Sequence, residues 1–450
     1  MKKSNRMKEM KEIKEIKEMK KIKKMKKMKN MKKPKRSNRL RENSSMKPTK
    51  KINTHTSRAA LKSLTVSGKV IGSGSYGCVF KPPIKCANKT RNKTGNKTGN
   101  KKGTKKISKL MLLEEAEDEY YKHQKIKKIL SKIKNSENYF LFSDSLCLPK
   151  DLPAKLSARD RKSMEEDCNS ERITESYQED GFSDLAMLTM DDGGIDLENY
   201  IIHFSREQNK PVIVIKEIAK HLHNLLLNAI IPMNKLNVYH TDIKPANIVV
   251  QTIKTKIQHL KLIDWGLSKI NIPDKQRFSF LIHFNYPYES LLFGLSDKYN
   301  SVTELNQDIK NIIKEDTEED TINPHIMDDI ILLFGNTETK YTKKMVVDLL
   351  TNYLISIARQ CYNEKTGLFD RDMLTKNYFN KIDLWGFMIC FIQLYKISAR
   401  NTNEVVKSYL LNICHYVTTY KYNKSGKMDM NWIHIWSKKI EDLYKIEIKD

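Results

Sequence analysis

His240-Thr241-Asp242-Ile243-Lys244-Pro245-Ala246-Asn247 decides how this chain is read. It follows an apolar stretch, Ile213–Ile230, of helical composition, and it runs into a short β-branched segment, Ile248–Gln251. Asp242 and Asn247 are five apart, with Lys244 between them. A loop with these three groups can hold a hydroxyl nucleophile, neutralise a transferring phosphate and bind a metal. Downstream, Leu260–Ile263 reads as the second strand of a pair, and Asp264-Trp265-Gly266 follows it directly. An Asp at a strand end with Gly close behind is well placed to hold Mg²⁺ on phosphate oxygens.

Working back towards the N-terminus, Gly72-Ser73-Gly74-Ser75-Tyr76-Gly77-Cys78-Val79 has the form G-x-G-x-x-G-x-V. Three glycines let backbone N–H groups approach phosphate without side-chain clash. A dinucleotide-binding loop would lead straight into a helix. Here Val79-Phe80-Lys81-Pro82-Pro83 follows, and two prolines forbid a continuing helix, so strand–loop–strand is expected.

The chain has 450 residues and a formal net charge of +28. Residues 1–60 hold 24 basic and 5 acidic groups, a net of +19, whereas the remaining 390 carry only +9. The basic character therefore belongs mostly to an arm. Within it an Ile or Met recurs every third residue from Met7 to Met31, a period that forms no single helical face. The arm is expected to be a solvated low-complexity segment, disordered or partly helical. Its alternative use is contact with nucleic acid or an acidic partner, and Lys32-Lys33-Pro34-Lys35-Arg36 resembles a nuclear-localisation cluster. No stretch approaches 18 uncharged apolar residues, so no membrane insertion is expected. No apolar core and cleavage site of a secretory signal follow the basic start. The 7 cysteines are widely spaced without a C-x-x-C pair, so neither a zinc site nor a disulfide framework is expected, and the chain reads as intracellular and reduced.

Two further polar pieces interrupt the pattern. Residues 86–106 repeat Asn-Lys-Thr with interspersed Gly and contain no acid, which reads as an exposed loop. Residues 150–180 are charged and read as a second surface insertion. Between them, Glu114–Ile133 reads as a helix, Leu185–Met190 as a strand, Leu197–Phe204 as a helix and Asp383–Tyr395 as a buried helix. Strands come first and helices later, so an α+β chain with a small sheet lobe and a larger helical lobe is expected.

The glycine loop, H-x-D-x-K-P-x-N and D-x-G, in this order, resemble the motif set of eukaryotic-type protein kinases. The insertions and the Lys/Asn/Ile bias are most similar to the protein kinases of large DNA viruses. The resemblance covers residues 64–290 and 380–450 and implies a bilobal kinase fold with an antiparallel-sheet N-lobe, 64–190, and a helical C-lobe, 191–450. It implies ATP as phosphate donor, Mg²⁺ or Mn²⁺ as metal, and protein substrates. Asp242 would orient the substrate hydroxyl and Lys244 would contact the γ-phosphate, in the Ser/Thr form of the motif. Asn247 and Asp264 would bind metal. Asp383 resembles the buried helix Asp that holds the catalytic-loop backbone; a helix N-cap is its plainer reading.

The same resemblance places nucleotide at Ile71, Gly72, Ser73, Gly74, Ser75, Tyr76, Gly77 and Val79. The phosphate-anchoring lysine is assigned to Lys109, because Lys81 and Lys85 come too soon after Gly77; Lys106 is the competitor. Ile107 departs from the family's Ala. The Glu that partners Lys109 is one of Glu114, Glu115, Glu117 or Glu119, with Glu117 preferred for its Tyr120 and Tyr121 neighbours. Met190 takes the gatekeeper place and Asp191 the hinge, and Asp196 would reach the ribose or cap the next helix.

Two departures concern regulation. Thr241 replaces the family's Arg, so activity is expected not to need phosphorylation of Ser268 or Ser279. Pro287-Tyr288-Glu289 is the nearest match to A-P-E, and the long run to Asp383 makes residues 291–376 an insertion, folded as helix on the lower lobe. The alternative to an active kinase is a pseudokinase scaffold that docks through the basic arm.

Overall fold

The structure is a computed structural model that describes residues 68–74, 76–84, 105–149, 158–180, 183–207, 211–254, 256–272, 285–318, 342–401, 403–419 and 430–447. The arm, most of the 86–106 loop, and Ser75, Lys85, Ser279 and Ile330–Phe334 lie outside these residues.

The glycine-rich stretch forms a hairpin of β1 (Lys69–Gly74) and β2 (Gly77–Lys81), so the chain leaves the loop as a strand. Next come β3 (Lys106–Leu112), α1 (Leu113–Leu130), β4 (Ser145–Cys147), α2 (Ala158–Asp167), α3 (Glu171–Asp180) and β5 (Leu185–Asp191). The five strands make an antiparallel sheet in the order β1-β2-β3-β5-β4. Side chains alternate across it. Leu110, Leu185 and Met187 point to one face, where they pack with Val70, Cys78, Phe80, Met164, Cys168, Ile173 and Tyr177. Met111, Ala186 and Leu188 point to the other, against Ala116 of α1. Lys109 shares the parity of Met111, so it faces α1.

The polar 150–180 insertion was expected to lie at the surface. Its described part instead forms α2 and α3, which cover one face of the sheet through Met164, Cys168, Ile173 and Tyr177. Four apolar side chains in a charged background are few, but at helical spacing they suffice for one buried stripe. Ser163 Oγ accepts the Val70 N–H at 3.1 Å, which satisfies a donor of the edge strand.

The cysteine expectation also fails. Cys78 of β2 and Cys168, between α2 and α3, form a disulfide with Cα atoms 5.7 Å apart, and Cys147 is disulfide-bonded as well. Cys361, Cys390 and Cys414 are free and buried. The bridged pair is 90 residues apart in sequence, so only the fold brings the two thiols together.

The helical lobe contains β6 (Ile195–Asp196), α4 (Leu197–Glu207), α5 (Pro211–Leu225), a π-helical turn (Leu226–Ile230), α6 (Ile231–Lys235), β7 (Val238–Tyr239), β8 (Ile248–Ile253), β9 (Lys256–Leu262) and β10 (Lys269–Ile270). A 3₁₀ segment (Tyr288–Gly294), α7 (Val302–Glu318), α8 (Lys343–Gln360), the β11 (Tyr362–Asn363) and β12 (Leu368–Phe369) pair, α9 (Arg371–Asn401), α10 (Glu404–Thr419) and α11 (Met430–Lys445) complete it. Helix α9 is apolar on every side between Leu384 and Leu394, as a central helix must be. Gly386 lies where α9 meets the His240–Asn247 loop; a Cβ there would stand 2.3 Å from the Ile243 carbonyl oxygen. The described part of the 291–376 insertion is largely helical, and Leu305, Ile309, Leu354 and Ile357 join the main core.

Candidate active site

The loop between β7 and β8 is held from below. Asp383, inside α9 and not at its N-terminus, accepts the His240 N–H at 2.9 Å and the Thr241 N–H at 2.8 Å, with Asn234 Nδ2 at 2.7 Å. This is the contact implied by the resemblance. The Asp383 carboxyl is fully buried, which pushes its pKa up; His240, Asn234 and the two amides act against that. Thr241 and Asp264 adopt left-handed backbone, φ +64° and +61°. Such strain in non-glycine residues persists only where the surroundings over-determine it. Here the surroundings are the Asp383 bonds and a bond from Thr241 Oγ1 to the Leu267 carbonyl at 2.9 Å.

Three of the expected residues meet here, with Lys244 and Asn247 both on Asp242. Lys244 Nζ lies 2.9 Å from its Oδ2. Asn247 Nδ2 donates to the same oxygen at 2.7 Å and to the Asp242 carbonyl at 2.8 Å, which leaves the Asn247 Oδ1 free to ligate. Asn285, which sequence reading missed, donates to Asp242 Oδ1 at 2.7 Å. It sits 43 residues downstream, two residues before Pro287-Tyr288-Glu289, and nothing in that motif marks it as a partner of Asp242.

The Lys109 ammonium is 3.0 Å from both carboxylate oxygens of Glu119 and 3.2 Å from Asp264 Oδ1. Lys106 pairs elsewhere, with Asp144 at 2.5 Å and Asp191 at 2.7 Å. Glu117 is therefore not the partner of Lys109, contrary to expectation. The buried stripe of α1 is Ala116, Glu119, His123, Ile126 and Leu130, and Glu117 is roughly 200° round the helix from Glu119. The neighbours that favoured Glu117 do not define a buried face, since Tyr121 is exposed. Burial lowers and its two carboxylate neighbours raise the Lys109 pKa, and the carboxylates win. Burial raises the Glu119 pKa against the pull of Lys109. For Asp264, burial works upward, but Lys109, His240 and Lys244 hold the carboxyl below the usual range.

Trp265 is fully buried, stacks on Phe142 at 4.8 Å, and lies 4.7 Å from the His240 ring. Lys122 Nζ reaches the Gly266 carbonyl at 2.6 Å. Ser268 is buried and donates to the Trp265 carbonyl at 2.5 Å, so it is a structural hydroxyl, not an accessible modification site.

Around the nucleotide positions the placement is mixed. Gly72 pairs with Val79, and Val79 with Lys109, on the cleft-facing side of the sheet. Ile71 and Tyr76 are exposed. Ser73 Oγ instead accepts the Asn169 N–H at 2.7 Å, away from the loop. Met190 is paired with Ile107 in the sheet, and the Asp191 carboxylate is taken by Lys106. Asp196 caps α4, accepting the Asn199 N–H at 2.9 Å and its Nδ2 at 2.8 Å, so the plainer of its two readings is the one observed.

A family model described as "Protein kinase domain" matches residues 65–292. Among solved structures, the chain is similar to one titled "ROP18 kinase domain in complex with AMP-PNP and sucrose". The identity is 16% and the TM-score 0.34, over 72% of this chain and 81% of that one. No curated protein matches the sequence. The family model spans half of the chain, including the glycine loop, the Asp242 loop and Asp264, and on that match the chain belongs to the protein kinase domain family.

Proposed function

We propose that the chain is an active serine/threonine protein kinase that uses ATP and a divalent metal. The observation that carries this reading is the arrangement at Asp242: one carboxylate with Lys244, Asn247 and Asn285 on it, next to a formed Lys109–Glu119 pair that also touches Asp264. The residues fit a hard cation. Asn247 Oδ1 and the cleft-facing Asp264 carboxylate are oxygen donors, and Mg²⁺ commonly takes one or two protein ligands and completes its shell with phosphate and water. Among the described residues no cluster of three His, Cys, Asp or Glu forms a closed metal cage, which agrees with such a partial shell.

In this reading Asp242 accepts the proton of the substrate hydroxyl as its oxygen attacks the γ-phosphorus of ATP; the bond from that phosphorus to the β,γ-bridging oxygen breaks and ADP leaves. Lys244 and Lys109 place positive charge on the transferring and remaining phosphate oxygens. A divalent metal held by Asn247 and Asp264 would supply further neutralisation of those oxygens. Asn247 and Asn285 fix the rotamer of Asp242. Lys244, two residues after the Asp, supports the serine/threonine assignment. The insertions and Lys/Asn/Ile bias support a place among kinases of large DNA viruses, and the +19 net charge of residues 1–60 supports docking of that arm on an acidic partner or nucleic acid.

Incubation with Mg-ATP and a basic protein, followed by phosphoamino-acid analysis, tests the reading. Wild type should yield phosphoserine or phosphothreonine, and Asp242→Asn should lose about 10²-fold or more of the rate. Absence of transfer together with absence of an ATP-dependent thermal shift would favour the scaffold reading. Deletion of residues 1–60 tests the arm separately.

A further inference from the structure

On the face formed by the end of α1 and the π-helical turn lies a groove of about 520 Å³, outside the phosphotransfer site. Its rim carries Lys132, Lys134 and Lys235, and no carboxylate lines it. Among the described residues none of these three ammonium groups enters an ion pair or hydrogen bond. Its floor is apolar, with Ile133, Tyr139 and Leu236 half-buried and Leu227 exposed.

The backbone points to the same place. Helix α5 passes through the π turn Leu226–Ile230, and that turn presents Leu227 and Asn228 to the groove. A π turn inside a helix re-aims side chains at the cost of hydrogen-bond geometry and occurs frequently at functional sites. Across the groove, Asn135 adopts φ +56°, which turns the chain away after Lys134.

We propose that this groove docks an acidic, amphipathic segment of a partner protein. Carboxylates would meet the three lysines, and leucine-like side chains would cover Leu227, Leu236 and Tyr139. Charge complementarity selects the partner, and the apolar floor supplies affinity that salt does not screen. A nucleic acid would satisfy the lysines but leave the aliphatic floor unused, with Tyr139 as the one ring available for stacking.

The test uses the full chain without ATP, so its result does not depend on phosphotransfer. Fluorescence anisotropy is read with a short labelled peptide that carries Leu at helical spacing and Glu elsewhere. Two control probes accompany it: the same peptide with Ser for Leu, and a single-stranded oligonucleotide. The Glu/Leu peptide should bind, and Leu227→Asp and the triple variant K132E/K134E/K235E should each weaken it about ten-fold or more. Both variants alter exposed side chains and should keep the thermal unfolding and phosphotransfer of wild type. The basic arm is intact in every variant, so binding through the arm alone would persist. Equal affinity for the Leu and Ser peptides, unchanged binding in the variants, or groove-dependent binding of the oligonucleotide alone would each overturn the proposal. So would self-association of the chain that the triple variant abolishes while peptide binding is absent.

Discussion

Trp265 Nε1 donates to the Leu141 carbonyl oxygen across 3.0 Å, a bond that a phenylalanine at this position could not make. With Lys122 on Gly266 and Thr241 on Leu267, it fastens three consecutive residues after Asp264. These contacts, one of them from a lysine ammonium, occur in a chain whose His240–Asn247 loop has Thr241 in place of the Arg that would read an added phosphate. Trp265→Phe removes one buried bond and leaves the Leu141 oxygen without that donor, a loss of about 1–3 kcal/mol. Thermal unfolding should show this loss, and the ATP-dependent thermal shift should shrink, because Asp264 depends on the segment. Unchanged unfolding would mean that the indole bond does not hold the segment.

Glu119 and Glu117 are separated by one residue and face nearly opposite sides of α1. Glu119→Gln removes the charge that meets Lys109 and leaves that ammonium buried beside Asp264 alone. Its kcat/KM for ATP should fall about ten-fold or more. Glu117→Gln should stay within about two-fold of wild type. Equal losses in the two variants would contradict the pairing.

Much of the fold was legible because the candidate-site groups sit in short local motifs. Asp242, Lys244 and Asn247 lie within one loop, and the prolines after Val79 excluded a helix there. Lys109 was legible as the Lys inside the first apolar strand after the insertion, Ile107-Ser108-Lys109-Leu110-Met111. Glu119 was legible in principle, since Ala116, Glu119, His123 and Ile126 recur at helical spacing; weighting the exposed Tyr121 hid that stripe. Asn285, the Cys78–Cys168 bridge and the covering role of α2 and α3 are products of long-range closure. No local pattern encodes which residue arrives from 43 or 90 positions away.

The Cys78–Cys168 bridge ties the outgoing strand of the glycine loop to the α2–α3 pair, which Asn169 and Ser163 further bind to β1. It closes a loop of 90 residues, and a cross-link over such a span stabilises by about 2–4 kcal/mol. Cys168→Ser, compared with wild type under oxidising conditions, should lose stability of that order and raise the KM for ATP through a looser β2. A dithiol reductant should bring wild type towards the variant without moving the variant itself comparably. If the two proteins unfold alike before reduction, the bridge is not formed in solution.

His123 introduces a pH dependence. Burial above all, then the positive charge of Lys109, pushes its pKa from 6.5 to about 3; Asp264 opposes this, and Lys122 and His240 add to it. Its Nδ1 lies 2.8 Å from Ser143 Oγ, and its Nε2 is 3.6 Å from Glu119. Between pH 6.5 and about 3 the unfolded chain binds a proton at this residue that the folded chain refuses. Stability from this group is therefore complete above pH 6.5 and falls as pH drops towards 3, by at most about 1.4 kcal/mol per pH unit. Urea unfolding at about pH 7 and about pH 5 should show a smaller pH decrement in His123→Leu than in wild type. An identical decrement would place the proton uptake on other groups.

In the proposed reaction Asn285 would act through Asp242, so its removal should separate turnover from nucleotide affinity. The Nδ2–Oδ1 bond at 2.7 Å is to a charged acceptor, a type worth about 1.5–3 kcal/mol. Asn285→Ala should lower kcat by about 10- to 100-fold and leave the KM for ATP near wild type, because Asn285 touches Asp242 and the Ile243 carbonyl rather than the glycine loop. Asn285→Asp separates positioning from mere packing: it keeps the shape but sets a second carboxylate against Asp242. The new side chain has no N–H to donate to Asp242, so kcat should fall at least as far as in Asn285→Ala, with the KM for ATP again near wild type. A loss of stability in both variants with kcat unchanged would leave Asn285 as a packing residue.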